Sequence, residues 1–164
     1  MKILFICTHN ACRSVLGEVI SRELSQGKII SASAGSNPRG VVHPLTLQYL
    51  AKHGYPTDNL TSQSWDDFED LNPDVVITAC DNAAGEACPV WFGDTLKVHW
   101  GLPDPTKNIK NNTENGADEE NVAKAFAHVI GTLEKRINTL LEAPYHEMDK
   151  EQLGVLFNQL AEVY

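Results

Sequence analysis

The sequence has no apolar run long enough to cross a bilayer, and its only early one, Ile3 to Ile6, is too short for a secretory signal core. A cytoplasmic chain with neither leader nor anchor is expected. Positive charge is scarce too: 13 Lys and Arg stand against 22 Asp and Glu, the net charge is −9, and no basic cluster occurs. Nucleic acid and anionic membranes are therefore excluded as expected partners, and any bound anion must be held by local donors. Cysteines number only 4. In a reducing compartment they read as chemistry or metal ligation rather than a disulfide framework, and the seven residues between Cys80 and Cys88 are too many for a usual zinc pair. No repeat or linker interrupts the 164 residues, so residues 1–164 are expected to form one domain, with about 145–164 as a C-terminal helical extension.

What is present is an alternation of buried strands and amphipathic helices. Lys2 to Ile6 is a continuous apolar run suited to a strand covered on both faces. Val15, Leu16, Val19, Ile20 and Leu24 then recur at helical spacing, with Ser14 near the start and Gly27 past the end. Lys28 to Ser33 reads as a second strand, and His43-Pro44 opens a helix closed by His53-Gly54. Asp74 to Ala79 and Leu96 to Trp100 read as two more strands. Asp118 to Leu141 carries a long helical stripe, Lys107 to Gly116 an Asn-rich loop, and Glu147 to Tyr164 a final amphipathic helix. The pattern predicts a three-layer α/β fold, a four-stranded parallel sheet with helices on both faces. Ligands of such folds bind beyond the carboxyl ends of the strands, where Cys7, Cys80 and Asp104 all fall.

The segment Cys7-Thr8-His9-Asn10-Ala11-Cys12-Arg13-Ser14 lies between a buried strand and a helix start. A loop of this length can wrap a tetrahedral oxyanion with backbone N–H groups, the helix amino end and the Arg13 fork. The same donors favour a nucleophilic thiolate at Cys7. A buried strand-end cysteine followed by a solvated arginine is the plainer alternative. The octapeptide resembles the phosphate loop of the low-molecular-weight protein tyrosine phosphatases and of the arsenate reductases related to them. That resemblance implies Cys7 as nucleophile, Arg13 as oxyanion clamp, and Asn10 and Ser14 as residues that hold the loop and tune the thiolate. Cys12 reads as structural.

Trp100-Gly101-Leu102-Pro103-Asp104-Pro105 is a stiff turn whose aspartate, by the same resemblance, is a general acid; taken alone it is an ordinary turn. The phosphatases continue Asp-Pro with aromatics that line an aryl-phosphate slot. This chain continues Thr106-Lys107, which favours a small inorganic oxyanion. Cys80 and Cys88 match the further cysteines through which the reductases carry electrons away. The implied activity is an oxidoreductase converting arsenate to arsenite through a relay from Cys7 to Cys80 to Cys88, with residual phosphatase activity. A phosphomonoester hydrolase using a Cys7-phosphoryl intermediate is the alternative. No tightly bound cofactor is expected, only an external reductant: thioredoxin, or glutathione with glutaredoxin. A potassium ion near Asn10, Glu18, Ser33 and Thr61 is a further expectation from the family, and a monomer is expected.

Overall fold

The structure, a computed structural model, describes residues 1–80, 85, 89–107 and 116–164. Four strands, β1 (Lys2–Ile6), β2 (Ile30–Ala34), β3 (Val75–Thr78) and β4 (Leu96–His99), form one parallel sheet in the order β2-β1-β3-β4. Helices α1 (Arg13–Leu24), α2 (Pro44–Lys52), α3 (Gly116–Glu142) and α4 (Lys150–Val163) cover it. The fold is the expected three-layer α/β arrangement.

The central strands are apolar on both faces because both are covered: Ile3, Leu4, Phe5, Ile6, Val75, Val76 and Ile77 are all buried. Gly17 lets α1 lie close to the sheet, since a Cβ there would come within 2.5 Å of the Phe5 ring. Each buried aliphatic or aromatic side chain of this core contributes about 1.5–3 kcal/mol. Tyr49 of α2 stacks on Phe126 of α3 at 4.6 Å between centroids.

Two element starts and one added element depart most from the sequence expectation. β2 starts at Ile30 rather than Lys28, because Gln26 and Gly27 adopt positive φ and the Lys28 N–H closes a turn onto Ser25 O. Trp65–Leu71 forms a 3-10 helix capped by Ser64, too short and acidic to show apolar periodicity. The last helix starts at Lys150 rather than Glu147, because Asp149 and Gln152 form a capping box after a short 3-10 turn at Tyr145–Glu147. The Asn-rich loop falls almost wholly outside the described residues, and Cys88 falls outside them too.

The strand order decides where a site can form. From β1 the chain crosses to β2 on one side and later to β3 on the other, so the connections diverge at the carboxyl ends of β1 and β3. Ile6 stands opposite Thr78 in that pair, so Cys7 and Cys80 leave the sheet side by side.

Candidate active site

The backbone after β1 is turned so that its carbonyls face protein and its amides face away. Thr8 O accepts from Asn37 N, His9 O from Arg39 N and Ser62 Oγ, and Ala11 O from His43 N and Thr46 Oγ1, all at 2.9–3.0 Å. A trans peptide aims its N–H opposite to its C=O, so the amides of His9 and Cys12 are turned the other way, toward a cavity. That cavity has a volume of about 180 Å³ and is lined by Cys7, Thr8, His9, Ala11, Cys12, Arg13, Arg39, His43, Cys80, Asp104 and Thr106. It is below the roughly 300 Å³ of an ordinary small-molecule site and suits a small polar ion.

Helix α1 points its amino end at the same place. Its N-cap residue Cys12 makes no side-chain capping bond and its first turn holds no acid, so its leading amides are left to an external acceptor. Gly35 allows the wrap, because a Cβ there would sit 2.5 Å from Thr8 O and 2.8 Å from Cys7 O. Asn10 is held at φ 46°, a left-handed conformation that asparagine tolerates well.

Asn10 and Ser14 lie fully buried behind the cavity. Asn10 Nδ2 donates to Ser14 Oγ at 2.8 Å, and Ser14 Oγ lies 2.8 Å from Cys7 Sγ. The amide thereby uses the hydroxyl as acceptor and leaves its hydrogen for the sulfur. Asn10 Oδ1 accepts from Gln63 N at 2.8 Å, which ties the loop to the chain before the 3-10 helix. Burial, the largest influence, pushes the Cys12 thiol up to about 12, so it stays protonated.

Cys80 is buried in the cavity wall, its Sγ 3.7 Å from Thr8 Oγ1. Arg13 reaches across to the loop after β4, donating to Leu102 O at 3.1 Å and lying 3.8 Å from Asp104 Oδ2. The other carboxylate oxygen of Asp104 accepts from Thr106 N at 2.9 Å and Thr106 Oγ1 at 2.7 Å. One oxygen is thus anchored while the other faces Arg13.

Sequence reasoning missed Arg39, His43, Thr106 and Gly35, none of which belongs to a recognisable spacing. His43 Nδ1 caps α2 by accepting from Leu45 N, so its neutral ring carries the hydrogen on Nε2 at the cavity. Burial, then the Arg39 charge, lowers its affinity for a second proton.

The potassium expectation does not fit these residues. Glu18 accepts from Ser33 Oγ at 3.2 Å and its second oxygen faces Arg22 at 3.7 Å. Asn10 is engaged by Ser14 and Gln63, and Thr61 is exposed. Oxygens already served by protein donors and a guanidinium make a poor cage for a hard cation.

A phosphate-type loop at the end of β1, an arginine-linked acid loop at the end of β4 and a parallel α/β sheet define a class. The chain belongs to the low molecular weight phosphotyrosine protein phosphatase family, whose profile matches residues 2–153. Among curated proteins it is similar to an arsenate reductase of Halalkalibacterium halodurans, 33% identical over 140 residues that span 85% of this chain and 94% of the relative. It is also similar to a glutaredoxin arsenate reductase of Synechocystis sp., 31% identical over 104 residues, 63% of this chain and 78% of that one. A solved arsenate reductase in the phosphate binding state superposes with TM-score 0.67 at 26% identity, covering 86% of this chain and 96% of the other. A low molecular weight phosphotyrosine phosphatase from Vibrio cholerae shares the fold, with TM-score 0.67 at 18% identity over 90% and 97% of the two chains.

Proposed function

We propose that this chain reduces arsenate to arsenite by thiol chemistry. The observation that carries the reading is a second buried thiol, Cys80, in the wall of the cavity that holds Cys7. The likeness to arsenate reductases at about a third identity supports it.

In the proposed sequence the Cys7 thiolate attacks arsenic, an As–S bond forms, and an oxygen leaves as water with a proton from Asp104. Arg13 and the loop amides bind the remaining oxygens. Cys80 thiolate then attacks Cys7 Sγ. The As–S pair of electrons goes to arsenic, As(V) becomes As(III), and a Cys7–Cys80 disulfide forms as arsenite departs. Cys88 next attacks Cys80, releasing Cys7 thiolate and leaving a Cys80–Cys88 disulfide. A two-electron thiol donor restores it, either a thioredoxin or glutathione with glutaredoxin; the Synechocystis relative favours the second. The enzyme is proposed to act as a monomer and a single domain, with every residue of the relay on one chain. The scheme needs a reducing compartment such as the cytoplasm.

The test is arsenate-dependent NADPH oxidation with each donor system, for wild type, Cys80→Ser and Cys88→Ser. Wild type should turn over with at least one donor and both variants should fall to background. Variants as active as wild type would remove the relay. Rapid p-nitrophenyl phosphate hydrolysis with no arsenate-dependent oxidation would replace the reading with a phosphatase.

A further inference from the structure

Arg136 of α3 is a buried cation, 5% exposed, with no carboxylate paired to it among the described residues. Burial opposes its charge, and Nε is buried without a partner. Three groups offset that cost. NH1 donates to Trp100 O at 2.8 Å, NH2 donates to Ala161 O at 3.4 Å, and the guanidinium carbon lies 5.3 Å from the centre of the Trp100 ring. Ala161 is in the last turn of α4, where carbonyls lack helical partners and the dipole is negative. The charge is therefore neutralised by a helix end and an aromatic face.

Both acceptors matter for what they connect. Trp100 is the first residue after β4, on the stretch that carries Asp104. Its N–H bonds to Thr78 O at 2.9 Å, its carbonyl to Arg136, and its indole N–H to Phe157 O of α4 at 3.0 Å. The ring packs between Phe5 and Phe157, 6.3 and 5.8 Å between centroids. Leu102 N bonds to Ala79 O at 2.9 Å and Leu102 O accepts from Arg13. The loop backbone is thus fixed at Trp100 and Leu102, and at Trp100 Arg136 and the last helix add to the hold of Thr78 O and Phe5. A methionine would fill similar space without burying a charge. It would lose the bonds to the loop carbonyl and the helix end and the cation over the Trp100 ring.

We propose that Arg136 is a positioning residue for Asp104, and that α4, through Phe157 and Ala161, is part of the apparatus that holds the acid loop. The proposal rests on the reading of Asp104 as the proton donor. Arg136 touches no residue lining the oxyanion cavity through its hydrogen bonds, so its loss should be felt at the acid and not at the anion.

The experiment is a double-mutant cycle in the full chain: wild type, Arg136→Met, Asp104→Asn and the pair, with Arg136→Lys as the conservative variant. Arsenate-dependent NADPH oxidation and p-nitrophenyl phosphate hydrolysis are measured, with inorganic phosphate affinity by calorimetry. We expect Arg136→Met to lower kcat about 10- to 100-fold, the scale of a misplaced catalytic group. KM and phosphate affinity should stay within about twofold, nothing further should be lost in the Asp104→Asn background, and Lys should restore part of the rate. Trp100→Phe, which removes the indole N–H bond to Phe157 O together with part of the buried ring, gives a second version of the same cycle if Arg136→Met fails to fold. Losses that multiply with Asp104→Asn, an unchanged kcat, or a parallel fall in phosphate affinity overturn the inference. Absence of arsenate turnover alone overturns only the reductase reading, since coupling is still scored with the aryl phosphate; a chain active on neither substrate overturns both.

Discussion

Ser14→Ala deletes one hydroxyl from the chain Asn10 Nδ2, Ser14 Oγ, Cys7 Sγ, whose two links are each 2.8 Å. The Asn10 amide donates into Ser14, so the serine has one hydrogen to offer, and sulfur is its acceptor. A hydrogen bond to a charged group contributes about 1.5–3 kcal/mol, or about 10- to 150-fold in a rate that depends on the thiolate. The assay is the second-order rate of iodoacetamide alkylation at Cys7, followed by peptide mass spectrometry at about pH 6, where free thiols are mostly protonated. The variant should react about 10- to 150-fold more slowly there. Removing the acceptor also leaves a buried Asn10 N–H unpaired, about 1–3 kcal/mol, which should lower Tm by about 2–10 °C. A folded variant alkylated within twofold of wild type at about pH 6 would refute Ser14 as the donor that holds the thiolate.

Other consequences follow from neighbouring groups. Burial, more than any charge, raises Glu18 above its ordinary value, so its folded carboxyl keeps a proton to higher pH than its unfolded one. The stability it contributes is present below the unfolded value and is lost as pH rises through the folded one. Glu18→Gln should therefore gain on wild type in thermal melts as pH rises from about 4 to about 8, and a constant or shrinking gain would contradict this. Cys12, held at about 12, should stay unlabelled at pH values where Cys7 is modified, and equal labelling would show the burial argument wrong. Thr106→Val removes one of two donors to Asp104 Oδ1 and should cost about 1 kcal/mol, a roughly fivefold fall in kcat at constant KM, with Thr106→Ser near wild type. If valine and serine behaved alike, the hydroxyl would have no part in it.

The strands and long helices were legible because burial on both faces writes itself as continuous apolar runs, as in Ile3 to Ile6, and one-sided burial as helical stripes, as in Val122 to Leu140. Cys7, Arg13 and Asp104 were legible because a loop between strand and helix constrains residue order locally. Arg39, His43 and Thr106 were not, since each reaches the cavity through tertiary folding: the segment from 37 to 46 lies over the loop only because its amides and Thr46 take the loop carbonyls. Arg136 was half legible: it falls within the apolar stripe of α3, three residues after Leu133 and four before Leu140, which marks the position as buried, but its partners lie 36 and 25 residues away in the chain and leave no local pattern.

The anion loop by itself does not separate hydrolysis from reduction, because both begin with an attack by Cys7. Separation comes from what can strike the covalent intermediate next. A water attacks the central atom and returns it at the same oxidation state. A thiolate attacks the Cys7 sulfur, and the departing central atom must then accept an electron pair. Arsenic can, because As(III) is an accessible state; phosphorus in a phosphoryl group cannot. With Cys80 buried in the wall and touching Thr8, the cavity that holds Cys7 also presents a nucleophile suited to sulfur. In the proposed enzyme the substrate itself then selects the outcome: a phosphoryl group waits for water, while an arsenic adduct is taken by the second thiol.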